Sequence, residues 1–181
     1  GKEIGSAGDV NGDGYGDLIF SATDYSVVYP PSGTTTGEGR AFVYYGSATG
    51  LSATPAWTAQ ATPNAQSNPQ LDSHFGYGCR GAGDVNGDGY SDVIIGAPDY
   101  DNPDLIEGRI YAYYGSAAGL SATPSWTFEG NQKGAYVGID VQGVGAAVYP
   151  QGHVAHSRFS LRTVGSPQTT AQEPVAVRDR A

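Results

Sequence analysis

The sequence predicts an all-β chain built from two and a partial four-stranded antiparallel sheets. Three observations carry this: an internal duplication, dense punctuation by glycine and proline, and short β-branched and aromatic runs without helical periodicity. The duplication weighs most, because repeats define architecture before any residue-level reading. Residues 46–58 read GSATGLSATPAWT and residues 115–127 read GSAAGLSATPSWT, an offset of 69. Upstream, SAGDVNGDGYGDLIF at 6–20 returns as GAGDVNGDGYSDVII at 81–95, an offset of 75. The difference falls in one connection, roughly residues 24–38, which is longer in the first unit and rich in Pro, Gly, Ser and Thr. Length variation confined to one connection is how loops behave on a fixed scaffold. Glycine is 28 of 181 residues with 11 prolines and 13 tyrosines, a composition of turns and strands.

In the second unit the predicted strands are Cys79–Val85, Asp92–Ala97, Arg109–Tyr114 and Ser125–Glu129. Val93-Ile94-Ile95 is apolar throughout and reads as a strand buried on both faces. Arg109–Tyr114 alternates weakly, with Ile110, Ala112 and Tyr114 on one face and Arg109, Tyr111 and Tyr113 on the other. Four strands recurring at about 70 residues describe a β-propeller blade or a similar meander. The expected organisation is a blade at 1–70 that starts inside its repeat, a second blade at 71–133, and the start of a degenerate third repeat at 134–145. There Val137-Gly138 stands for Phe75-Gly76, and Gly143-Val144-Gly145 stands for Gly81-Ala82-Gly83.

Where the third acidic loop is due, the chain reads Ala146 onward, a divergent tail at 146–181 expected to pack least well. Residues 1–145 carry 16 acidic and 5 basic side chains, and 146–181 carry 2 and 4. Two readings fit this break: a natural C-terminal tail or a change of reading frame.

The net charge of −9 excludes a nucleic-acid module, which needs a basic face, and simple charge adhesion to anionic membranes. No apolar run is long enough to span a membrane as a helix, so no membrane insertion is expected. One cysteine, Cys79, excludes an intramolecular disulfide framework.

The chemistry lies in the duplicated acidic loops. Asp9, Asn11, Asp13 and Asp17 recur as Asp84, Asn86, Asp88 and Asp92, with Tyr15 and Tyr90 contributing main-chain carbonyls at the seventh position. Three carboxylates within nine residues repel unless a cation neutralises them. All-oxygen ligation without His or Cys selects Ca²⁺ over Zn²⁺, and so many ligands exceed what Mg²⁺ takes from protein. Two Ca²⁺ sites are therefore expected. An EF-hand would need a bidentate Glu at position 12, where Phe20 and Ile95 stand, and a following helix where Leu-Ile-Phe or Val-Ile-Ile reads as strand. The plain alternative is a pair of Asn-Gly/Asp-Gly hairpin turns on an acidic surface.

Together, Phe75-Gly76, the Asp84–Asp92 loop and Ile95-Gly96-Ala97-Pro98 resemble the FG-GAP repeat of integrin α-chain propellers and their bacterial relatives. Gly108–Gly115 and the Gly-Leu-Ser-Ala-Thr-Pro segments are similar to the bacterial versions. The resemblance covers roughly residues 3–145; the first unit departs from it at Ser21-Ala22-Thr23, where Gly-Ala-Pro is expected. It implies a calcium-binding propeller module at the cell surface or secreted, of bacterial origin, acting without catalysis in adhesion or ligand binding. The implied partner is a protein or a glycan. Alternatives are a lectin-like glycan binder and an accessory module of a secreted polysaccharide-degrading enzyme. Two units and a fragment cannot close a ring, so a piece of a larger propeller or self-association through unpaired blade faces is expected.

Other candidates carry less. His153 and His156 lack a third ligand, and His74 reads as a loop residue. Cys79 reads as a small buried hydrophobe. Trp57 and Trp126 occupy equivalent positions and read as inter-blade packing, with sugar stacking as the alternative. The loop from Asp99 to Asp104 reads as solvated, with a ligand or further cation as the alternative. No catalytic constellation stands among these residues.

Overall fold

The computed structural model describes residues 1–29, 34–61, 72–143, 158–162 and 169–172; the side chains of 27–36 and of the last two segments are not described. The first sheet contains β1 (Ile4–Gly8), β2 (Asp17–Ala22), β5 (Arg40–Tyr44) and β6 (Trp57–Ala59), in that order and antiparallel. The second contains β7 (Cys79–Gly83), β8 (Asp92–Ala97), β9 (Arg109–Tyr113) and β10 (Trp126–Glu129), also antiparallel. The two sheets are equivalent strand by strand. No helix occurs among the described residues. The all-β, blade-like architecture read from the sequence is the architecture of the molecule.

The segment at 24–38, read as a loop, contains a hairpin of β3 (Ser26–Tyr29) and β4 (Thr34–Gly37). The reason is local: Val27-Val28-Tyr29 and Thr34-Thr35-Thr36 are runs of β-formers. A third sheet pairs β11 (Asp140–Gln142) with β12 (Arg158–Arg162) and β12 with β13 (Thr169–Gln172).

The first strand of each sheet packs against that of its neighbour, β1 beside β7 and β11 beside β7. Glycine makes this approach possible. A Cβ on Gly81 would stand 2.7 Å from the Ser6 carbonyl oxygen, and one on Gly143 would stand 2.1 Å from Ala82 Cα. The same holds at the Phe-Gly pair: a Cβ on Gly76 would meet the Ser21 side chain at 2.6 Å, and one on Gly138 would meet Gly96 Cα at 2.8 Å. Phe75 donates its amide to Glu38 O at 3.0 Å, and Val137 donates to Glu107 O at 3.2 Å.

Between the first two sheets lies a continuous apolar layer. It contains Ala7, Val10, Ile19, Val43 and Trp57 from the first unit and Phe75, Val93, Ile95, Tyr111 and Tyr113 from the second. A second layer joins Ala82, Ile94 and Ile110 to Val137 and Val141. Burial of β8 on both faces is complete, as its apolar run predicts.

Candidate metal centre

Each acidic loop is the turn of a hairpin between the first and second strands of its sheet. A register shift between Ser6 and Gly8, and again between Gly81 and Gly83, ends the ladder before the loop. Gly12, Gly14, Gly87 and Gly89 take φ of +73°, +90°, +77° and +95°, values that L side chains rarely adopt. A strand follows each loop, which removes the EF-hand geometry.

Within the first loop, Asp9 Oδ1 accepts from the Gly12 and Asp13 amides at 2.7 and 3.1 Å, and Oδ2 accepts from Gly14 at 2.8 Å. Asp13 Oδ1 accepts from the Tyr15 amide at 2.9 Å, and its Oδ2 accepts from Asn11 Nδ2 at 2.9 Å. In the second loop Asp84 accepts from Gly87, Asp88 and Gly89 at 2.7, 3.1 and 2.8 Å. Asp88 accepts from Tyr90 and Asn86 at 3.0 and 2.9 Å. The identical pattern follows from the identical DVNGDGY sequence.

The ninth position differs in character: it is buried. Asp17 accepts from the Val10 and Gly46 amides, both at 2.8 Å, and Asp92 from Val85 and Gly115 at 2.7 and 2.8 Å. Loss of hydration pushes the Asp92 carboxyl up to about 6; Asp88 and Asp84 push the same way, against the two amide bonds. Asp17 is raised for the same leading reason, with Asp13 and Asp9 adding to it. None of the described ion pairs reaches these loops.

Among the described residues no three acidic or imidazole side chains converge closely enough to hold an ion; the carboxylates turn to the loop's own amides instead. Tyr15 and Tyr90 occupy the seventh place of each turn, Tyr15 being 44% exposed.

Residues that the sequence reading did not single out join the two loops. Ser91, beside Asp92, accepts the Asp9 amide on Oγ at 3.2 Å and donates its own amide to Asp9 O at 2.9 Å. Ser116 donates to Val10 O at 3.2 Å, and a Cβ on Gly12 would strike the Tyr90 ring at 2.5 Å. Gly46 and Gly115, which hold the buried carboxylates, open the duplicated GSA segments; that repetition is the signal by which sequence could have found them.

The remaining candidates resolve as follows. His74 bridges the units: Nδ1 lies 2.6 Å from Asp99 Oδ2 and Nε2 lies 3.8 Å from Asp24 Oδ1. The Asp99–Asp104 loop is tied down, with Asp101 accepting the Ile106 amide at 2.5 Å and Asn102 donating to Glu129 at 3.1 Å. Cys79 is fully buried and free, and burial pushes its thiol up, away from the reactive thiolate. Trp57 packs edge-on against Tyr113 at 4.8 Å and donates Nε1 to the Ser121 carbonyl at 3.0 Å, so its indole joins the sheets and is not free to stack on a sugar. Trp126 is half-buried beside Phe128. His153 and His156 lie outside the described residues.

The FG-GAP repeat matches residues 3–44 and 81–113. Integrin alpha-6 of Gallus gallus is 29% identical over 136 residues, 75% of this chain and 11% of the relative. Integrin alpha-5 of Xenopus laevis is 30% identical over 139 residues, 72% and 12% respectively. Integrin alpha-PS2 of Drosophila melanogaster is 33% identical over 141 residues, 73% and 9%. The chain spans about a tenth of the length of these relatives.

Proposed function

For a chain that carries FG-GAP repeats and is similar to integrin alpha chains, we propose a calcium-stabilised, non-catalytic binding module of an extracellular or cell-surface protein. Asp9, Asn11, Asp13, Asp17 and the Tyr15 carbonyl would hold one ion. Asp84, Asn86, Asp88, Asp92 and the Tyr90 carbonyl would hold the other. The single observation behind this is two acidic hairpins of identical hydrogen bonding, each with a buried carboxylate, that no described basic side chain neutralises. Calcium supplies the opposing charge and fixes the turns; the carboxylates orient on the loop amides and Asp17 and Asp92 tether each turn to its sheet. Ligand recognition, of protein or glycan, then falls to the surfaces these turns hold in place.

Because the folded loop gains an ion that the unfolded chain does not hold, calcium at a hundredfold excess over its Kd adds about 2.7 kcal/mol per site. Calorimetric titration of the full chain is expected to give two sites, and Asp88→Ala to remove the second. Chelation is expected to lower Tm and calcium to restore it. A flat titration of the intact protein overturns the reading.

A further inference from the structure

The third strands of the two sheets carry equivalent arginines in unlike surroundings. Arg109 lies over the Tyr100 ring at 5.0 Å and donates from Nη1 to Tyr100 Oη at 2.7 Å and from Nη2 to Thr127 Oγ1 at 3.2 Å. Its Nε pairs with Glu129 Oε1 at 3.2 Å, the two side chains being 17% and 19% exposed. The repeat offsets map Arg109, Tyr100, Thr127 and Glu129 onto Arg40, Tyr25, Thr58 and Gln60. Arg40 keeps the aromatic shelf, 4.4 Å over Tyr25, and the contact to Tyr25 Oη at 3.4 Å. Its Nη2, however, donates to Gln60 Oε1 at 2.5 Å. An amide stands where the second sheet has a carboxylate.

A guanidinium cannot shed its charge. The charge that Glu129 cancels in the second sheet therefore has no carboxylate partner among the described residues in the first. This difference sits at an opening. A cleft of about 410 Å³ separates the outer end of the first sheet from the Ala122–Pro124 turn of the second, lined by Arg40, Thr58, Gln60, Ala61, Tyr113 and Thr123. Small-ligand sites range over roughly 300–1,000 Å³. The cleft thus combines a partly exposed cation, an amide and two hydroxyls, on a protein otherwise strongly acidic.

We propose that this inter-sheet cleft binds a carboxylate on a body the size of one sugar or amino-acid unit, with Arg40 as the anion partner and Gln60 in place of the internal carboxylate that would otherwise close the site. The assignment takes up the ligand-binding part of the function proposed above and owes nothing to calcium.

Titration of the full chain with glucuronate and with N-acetylglutamate, each against its neutral counterpart, glucose or N-acetylglutamine, tests it. At least one acid is expected to bind at least about tenfold more tightly than its neutral counterpart, since hydrogen bonds to a charged group are the strong ones. Glucuronate alone identifies an acidic sugar, N-acetylglutamate alone an acidic side chain, and both a site that reads the carboxylate itself. Gln60→Glu rebuilds the pairing of the second sheet and is expected to abolish binding with Tm unchanged or raised; Arg40→Gln is expected to abolish it from the other partner. Binding of neither acid, equal binding of a neutral counterpart, or affinity that survives either substitution overturns the proposal. Running each titration in calcium and in chelator separates this outcome from that of the calcium sites.

Discussion

Matched faces of the two sheets differ in burial although their sequences are alike. On the second sheet, Val93, Ile95, Tyr111 and Tyr113 are 0 to 1% exposed, because the first sheet lies across them. Their counterparts on the first sheet, Leu18, Phe20, Phe42 and Tyr44, are half-buried. There the rings stack on one another instead, Phe20 on Phe42 at 4.9 Å and Phe20 on Tyr44 at 5.6 Å. The opposite faces show no such contrast: Ile19 and Ile94 are both fully buried, one against the second sheet and the other against Val137 and Val141. A strand's own sequence decides that it has two apolar faces. Its neighbour decides how much each face is worth.

The largest test of that contrast is truncation at matched positions. Ile95→Ala is expected to cost about 3 kcal/mol or more, while Phe20→Ala, which removes more atoms, is expected to cost about 1 kcal/mol. Urea unfolding of both variants gives the difference; equal losses would mean that burial by the neighbouring sheet is not what matters. A smaller effect is expected at the seam. Gly81→Ala drives a methyl into the Ser6–Ala7 backbone and is expected to cost about 2 kcal/mol. Gly5→Ala, with nothing within 4 Å, is expected to cost nothing or to stabilise slightly. The smallest effect concerns the arginines. Glu129→Gln is expected to cost about 1 kcal/mol by removing the carboxylate that pairs with Arg109, and the reverse change, Gln60→Glu, to raise stability by less than that. Thermal melts at low and high salt read both, with salt expected to shrink the gain at Gln60 more because that site is the more open.

Much of this was legible in the chain. The strand positions of the second unit followed from alternation and from the turn residues between them, and the two hairpin loops from the spacing of Asp and Gly. The first strand ended two residues short, where the bulge at Gly81–Gly83 stops the ladder, and the third and fourth each lost one terminal residue. The β3–β4 hairpin was hidden because its Pro, Gly, Ser and Thr content outweighed two short β-forming runs. The site was harder to read. Gly46, Gly115 and Ser91 act through main-chain amides and a hydroxyl brought in from another strand or the neighbouring unit, which spacing within a loop does not register. The exchange of Glu129 for Gln60 is plain once the repeats are superposed, but only the cleft beside Arg40 gives it chemical meaning.

The seam between the sheets is a wedge. At the first strands the backbones touch, with no room for a methyl at Gly81 or Gly143; toward the last strands the contact passes to side chains, Trp57 against Tyr113 and the Ser121 carbonyl, beside a ligand-sized cleft. Stacking of this kind is head-to-tail, so each added sheet covers one apolar front and presents another, and the exposed area does not shrink as copies accumulate. Only a series that bends back onto its first member brings that area to zero. The taper that the glycines permit therefore sets the angular step of the series, and with it how many members a closed circle would take.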